Sequence, residues 1–130
     1  MERRLNVVID DDKEVSGKFD IIARTIEGAR NVLKSTKMET LFIDHFFADG
    51  ITGLELLLSV IRQIKTDHLP KTIVFISSVD EKNVSDSSTL VDYIRRDNTM
   101  YGVDAVEHGK NVYLGNGIEV KASVVKLKLL

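Results

Sequence analysis

The sequence predicts an α/β domain built on a parallel sheet. Short, nearly continuous apolar runs recur at residues 5–9, 19–23, 41–43 and 72–76, the pattern of strands buried on both faces. Helical spacing fills two of the intervals between them, through Ile26, Ala29, Val32 and Leu33, and through Leu54, Leu57, Leu58, Ile61 and Ile64. Strands that alternate with helices form parallel sheets. The chain has 130 residues and is expected to form one domain, 1–130. Its core would span about 5–106, with a β addition over about 107–130.

Composition narrows the function classes. The chain is 43% hydrophobic and 29% charged with a net charge of −2, as in ordinary soluble domains. Such a charge supplies no bulk attraction for nucleic acid or for an acidic membrane. The absence of cysteine excludes disulfides, thiolate metal sites and cysteine nucleophiles, and it fits a cytoplasmic location. The longest apolar run is too short to span a membrane. Met1 to Arg4 lead straight into a strand, which leaves no room for a signal peptide. The expected partner is another protein or a phosphate-containing small molecule.

Taken in order, the first strand ends at Asp10, Asp11 and Asp12, and residues 13–18 read as a loop. Only about nine residues separate the first two strands, whereas a crossover helix needs about a dozen or more. The first helix is therefore reduced or missing. Thr25 caps the next helix, which runs to about Ser35, and Glu27 suits the positive end of its dipole. The third strand delivers Asp44. After a turn over 45–51, Thr52-Gly53-Leu54-Glu55 has the form of a capping box. The helix that it opens ends at His68-Leu69-Pro70, because a residue before proline avoids helical angles. Ser77 and Ser78 end the fourth strand. Residues 79–88 read as a polar loop, and 89–96 as a helix with Leu90, Val91 and Ile94 inward. A weaker fifth strand is expected over 102–106. Gly115-Asn116-Gly117 is a hairpin signal between 111–114 and 118–121. Residues 124–130 alternate as an edge strand does, with Lys126 and Lys128 as gatekeeper charges.

If the first and third strands are neighbours, Asp10, Asp11, Asp12 and Asp44 gather at the C-terminal edge of the sheet, where open α/β sheets bind ligands. Carboxylate oxygens are hard donors suited to Mg²⁺. The expected ligands are Asp10, Asp11 and Asp44, with Asp12 in reserve; the plain alternative is a set of solvated carboxylates that merely end strands. Phe46 and Phe47 either form a lid or docking feature, or plug the core. Walker and Rossmann glycine loops are absent from the sequence.

These motifs together resemble receiver domains of response regulators: acidic residues after the first strand, Asp44 at the end of the third, Gly53-Leu54-Glu55-Leu56-Leu57 opening a helix, and Ser77-Ser78 after the fourth. Ile21-Ile22-Ala23-Arg24-Thr25-Ile26-Glu27-Gly28-Ala29-Arg30, together with Asp44-His45 and Thr52-Gly53, is more similar to the cyclic-phosphate-processing receiver domains. That family also lacks an ordinary first helix. It carries a second aspartate where this chain has Phe46, and His-Ser where this chain has Ser77-Ser78. Ordinary receivers place a lysine after the fifth strand, where this chain reads Glu107-His108-Gly109-Lys110. The resemblance implies a receiver-like regulatory or binding module with an acidic Mg²⁺ pocket and Asp44 as a phosphoacceptor. It also implies phosphate binding by Ser77 and Ser78, which otherwise read as loop caps. One alternative is a phosphate-ester or cyclic-phosphate processing enzyme that uses Asp44 and His45, with His45 as general acid or base. His45 otherwise reads as a polar turn residue. Another is a degenerate receiver that serves as a protein-interaction module through Phe46 and the hairpin.

Overall fold

Four strands, β1 (Leu5–Ile9), β2 (Ile21–Ala23), β3 (Met38–Ile43) and β4 (Thr72–Phe75), run parallel in the spatial order β2-β1-β3-β4. The computed structural model describes residues 3–11, 19–47, 50–97, 101–115 and 117–129. This strand order is that of the flavodoxin-like fold, to which receivers belong, so the receiver-like α/β class read from the sequence is the class observed. Among the described residues β2 follows β1 with no helix between them. The loop expected at 13–18, and Asp12 with it, lie outside the described residues.

Helix α1 (Ile26–Ser35) is capped by Thr25, whose Oγ1 accepts from the Gly28 N–H at 3.0 Å. Helix α2 (Gly53–Val60) is N-capped by Thr52 as expected, Oγ1 accepting from the Glu55 N–H at 3.0 Å, while the Glu55 carboxylate meets the Thr52 hydroxyl at 3.2 Å. It is shorter than its apolar stripe suggests. Tighter 3-10 turns at Ile61–Gln63 and Thr66–His68 carry the chain to Pro70. Ile61 and Ile64 are nonetheless buried with Leu54 and Leu57. Helix α3 (Asp80–Asp97) has 18 residues, which corrects the loop expected over 79–88. Its first half is helical despite its polarity because Asn83, Asp86 and Ser87 turn inward and are buried there.

The C-terminal part differs most from expectation. The weak fifth strand and the first arm of the hairpin form one strand, β5 (Tyr101–Gly115), and the chain returns as β6 (Ile118–Leu129). β6, not β5, lies beside β4, antiparallel, with Phe75 opposite Ser123. Residues 123–126 are therefore flanked by strands on both sides, and β5 is the edge. Lys126 is accordingly no edge gatekeeper: its exposed ammonium lies 3.7 Å from Glu107 across the hairpin. Alternation misled here because a strand with one solvated face alternates whether it is at an edge or not.

All three helices contribute to one core. Leu33, Leu57 and Leu90 belong to the same buried cluster as Val7, Ile9, Leu41, Ile43, Ile73, Phe75 and Val125. The opposite face has no helix among the described residues. β6 runs on past the end of β4, and this overhang of the hairpin covers the second face. Leu114 and Ala122 are buried with Val8, Val74 and Ile76, while Val112, Ile118, Val120, Phe19 and Phe42 pack around them. Phe19 meets Phe42 edge-on at 5.0 Å. At the start of the sheet Arg4 ties separate segments together: Nη1 donates to the carbonyls of Met38 (2.6 Å) and Leu69 (3.0 Å), and Nη2 to that of Asp67 (2.9 Å).

If the hairpin is the cover of this second face, Leu114→Ala should lower stability by about 2–5 kcal/mol, the cost of emptying a buried leucine site. Urea denaturation measures it. A loss under about 1 kcal/mol would show that the overhang does not seal the face.

Candidate functional site

Parallel pairing of β1 with β3 sets Ile9 opposite Ile43, so the residues that follow them emerge side by side. The Asp44 N–H donates to the Ile9 carbonyl and the Asp10 N–H to the Ala23 carbonyl, both at 3.1 Å. These bonds stitch the ends of three strands together around Asp10. Asp10 is fully buried, Asp44 is 4% exposed and Asp11 is open to solvent. One oxygen from each of the three carboxylates lies within 4.8 Å of the others. The expected cluster of Asp10, Asp11 and Asp44 is therefore assembled, at the β1/β3 switch point. Arg24, just past β2, reaches the same edge and donates from Nη1 to the Asp10 carbonyl at 3.3 Å.

The described residues on either side of 48 and 49 are tied together. The Gly53 N–H donates to the His45 carbonyl and the Phe47 N–H to the Ile51 carbonyl, both at 3.1 Å, and Phe46 bridges Thr52. The two phenylalanines part company. Phe47 is buried in the core, whereas Phe46 is 57% exposed and lies edge-on to the His45 ring at 4.6 Å. Gly53 permits the close approach of α2 to β3. A Cβ there would fall well inside contact distance of Ile43 Cγ2 and of the Asp44 carbonyl oxygen.

His45 does not join the carboxylate cluster. Its ring turns to α3, where Nδ1 lies 2.7 Å from Asp86 Oδ2; both side chains are largely buried. With Asp86 ionised, Nδ1 carries the proton and donates. Burial raises the Asp86 pKa above the ordinary carboxylate range. The hydrogen bond and charge of His45, and then the charge of Lys82, oppose that rise, while Glu55 adds to it.

Ser77 is buried, and its Oγ accepts from the Val79 N–H at 3.1 Å, as a turn cap does. The Asn83 side chain ties Ser77 to the sheet: Oδ1 accepts from the Ser77 N–H (2.8 Å), and Nδ2 donates to the carbonyls of Ser77 (2.9 Å) and Lys121 (3.0 Å). Ser78 is exposed. Lys110 lies on β5 and pairs with Glu107 at 3.1 Å. Cavities of about 230 and 330 Å³ open at the opposite edge of the sheet, lined in common by Thr66, Leu69 and Tyr101. Among the described residues they hold no group of three or more metal-ligating side chains.

Asp86 and Asn83 were missed in the sequence. The signal that would have found them is the spacing Asn83, Ser87, Leu90 and Ile94, one helical stripe that begins polar and ends apolar.

No family model matches the chain, and no curated protein does. Solved structures similar to it include the MaeR response regulator bound to beryllium trifluoride, at 23% identity and a TM-score of 0.43 over 65% of this chain and 76% of that one. An aspartate-to-alanine mutant of the MaeR response regulator bound to sulfate is 22% identical, with a TM-score of 0.44 over 68% of this chain and 80% of the other.

Two outcomes follow from this geometry. Gly53→Ala should destabilise the fold by about 1–3 kcal/mol or more, because the Asp44 backbone as well as the branched Ile43 side chain must give way; a neutral result in thermal denaturation would mean that α2 is free to shift. For Asp86, a carboxyl with a raised folded pKa binds more protons folded than unfolded. Its contribution to stability is full below the ordinary aspartate value and is lost as pH rises through the raised one. The stability of the wild type relative to Asp86→Asn should therefore fall as pH climbs from the ordinary aspartate value. Denaturation of both proteins across that window checks the slope, and a flat or rising difference contradicts it.

Proposed function

We propose that the protein is a receiver-like regulatory or binding module whose acidic pocket, Asp10, Asp11 and Asp44, takes a divalent cation, Mg²⁺. The observation that supports this is the convergence of three carboxylates from two adjacent strands, two of them buried, within 4.8 Å of one another. Two unit charges about 5 Å apart repel by about 3 kcal/mol at an effective dielectric of ~20. A cation among them offsets that cost, and the all-oxygen donor set suits Mg²⁺, which commonly keeps several waters when bound to one or two carboxylates. When bound, the metal would neutralise charge on an incoming phosphoryl group. Asp44, at the end of the central β3, is the acceptor carboxylate in this proposal, with Ser77 and Ser78 at the adjacent strand end.

A second proposal, the processing of a phosphate ester of the cyclic-phosphate type, is favoured by the His45–Asp86 pair. A buried carboxylate on Nδ1 orients an imidazole as a general base or acid requires.

A Mg²⁺ titration followed by backbone amide NMR tests the first proposal. Saturable shifts are expected at Asp10, Asp11 and Asp44, with affinity reduced at least about tenfold in Asp44→Asn. A flat response at millimolar Mg²⁺ would refute the pocket. Beryllofluoride or acetyl phosphate added afterwards should shift the same amides further if Asp44 accepts phosphoryl groups. Turnover of a cyclic-phosphate RNA end or cyclic nucleotide, abolished in His45→Ala, would select the enzyme instead.

A further inference from the structure

Helix α3 is built in two halves. From Leu90 onward it buries Leu90, Val91 and Ile94 in the main core, but before Leu90 the residues it buries are Asn83, Asp86 and Ser87. Val84, in that first half, is 40% exposed. The first half is thus anchored by polar ties: Asn83 to Ser77 and Lys121, and Asp86 to His45. A segment with few apolar contacts belongs to the less stable part of a fold and opens locally at low cost. One of its ties ends on the residue next to Asp44.

We propose that the His45–Asp86 pair couples occupancy of the acidic pocket to the docking of the first half of α3; this rests on the assignment of Asp10, Asp11 and Asp44 as a cation pocket. A cation that draws the three carboxylates together fixes Asp44 and, through the adjoining peptide, His45. The His45 carbonyl is already held by Gly53, so the imidazole is the direct route from this position to α3. Coupling between two sites is reciprocal: a cation that tightens the docking of α3 is itself bound more tightly when α3 is docked. Asp86 then acts as a positioning residue for a pocket to which it contributes no ligand. The raised pKa of Asp86 marks the same carboxylate as one withdrawn from water on that route.

The test is amide hydrogen exchange on the full chain, with Mg²⁺ added against NaCl at matched ionic strength. In the wild type, saturating Mg²⁺ should slow exchange about fivefold or more at residues 80–87 as well as near Asp10 and Asp44. In Asp86→Ala the slowing at 80–87 should disappear, and Mg²⁺ affinity should fall about five- to tenfold. His45→Asn, which keeps an N–H donor near the Nδ1 position, should retain the response, and His45→Ala should lose it. That pair decides the matter even if Asp86→Ala does not fold. A pocket that titrates while 80–87 stay unchanged overturns the coupling and leaves the pocket standing, as does a wild-type response in His45→Ala. Silence at both places overturns the cation pocket and the coupling together.

Discussion

The hydrogen bond from the Asp44 N–H to the Ile9 carbonyl extends the β1–β3 ladder by one step beyond its last strand residues. That step places two buried carboxylates next to each other at the point where the strand order reverses. Most of the surrounding architecture serves to hold this juxtaposition. Asp10 is tied to β2 through Ala23, the Asp44 loop is tied to α2 through Gly53, and His45 is tied to α3 through Asp86. The two carboxylates are thus clamped from three directions in one fixed geometry.

The fold reaches the same end by unusual means. A doubly wound sheet buries both faces under helices. Here α1, α2 and α3 all serve one face, and the overhang of a hairpin shields the other with Val112, Leu114, Ile118, Val120 and Ala122. One inward alternation on β6 supplies this cover while the other, Val125 and Leu127, packs under the helices. The same strand thus replaces a parallel neighbour for β4 and closes the second face. Its reversed direction also brings Lys121 and Ser123 to the edge where Ser77 lies, joined through Asn83.

Much of this was legible in the sequence, and the failures share a cause. Buried parallel strands announce themselves by continuous apolar runs, so β1 to β4 and the carboxylates at their ends could be read directly. The Thr25 and Thr52 caps were legible because capping is local chemistry. The first half of α3 was not, because its inward stripe is polar and its partners lie far away in sequence: Asp86 meets His45, and Asn83 meets Lys121. The place of β6 was hidden for a related reason. Alternation marks a strand with one solvated face, and it does not say whether that strand sits at the edge or beside β4. His45 was noticed as an ionisable neighbour of Asp44, but its orientation depends on a residue that the polar run concealed.

β5 leaves fifteen residues along one border of the sheet, and a long border strand invites another chain to add to it. Its pairing with β6 shifts register at Val103/Ala105, Glu107/Lys110 and Tyr113/Gly115, and Gly109 takes a left-handed φ of 67°. Each irregularity bends the strand and divides its outer rim into short stretches, and Glu107 and Lys110 place charge at the middle. The irregular hairpin thereby acts as insulation: a straighter version would cover the core as well, yet would offer its whole length as a template for fibre-like growth.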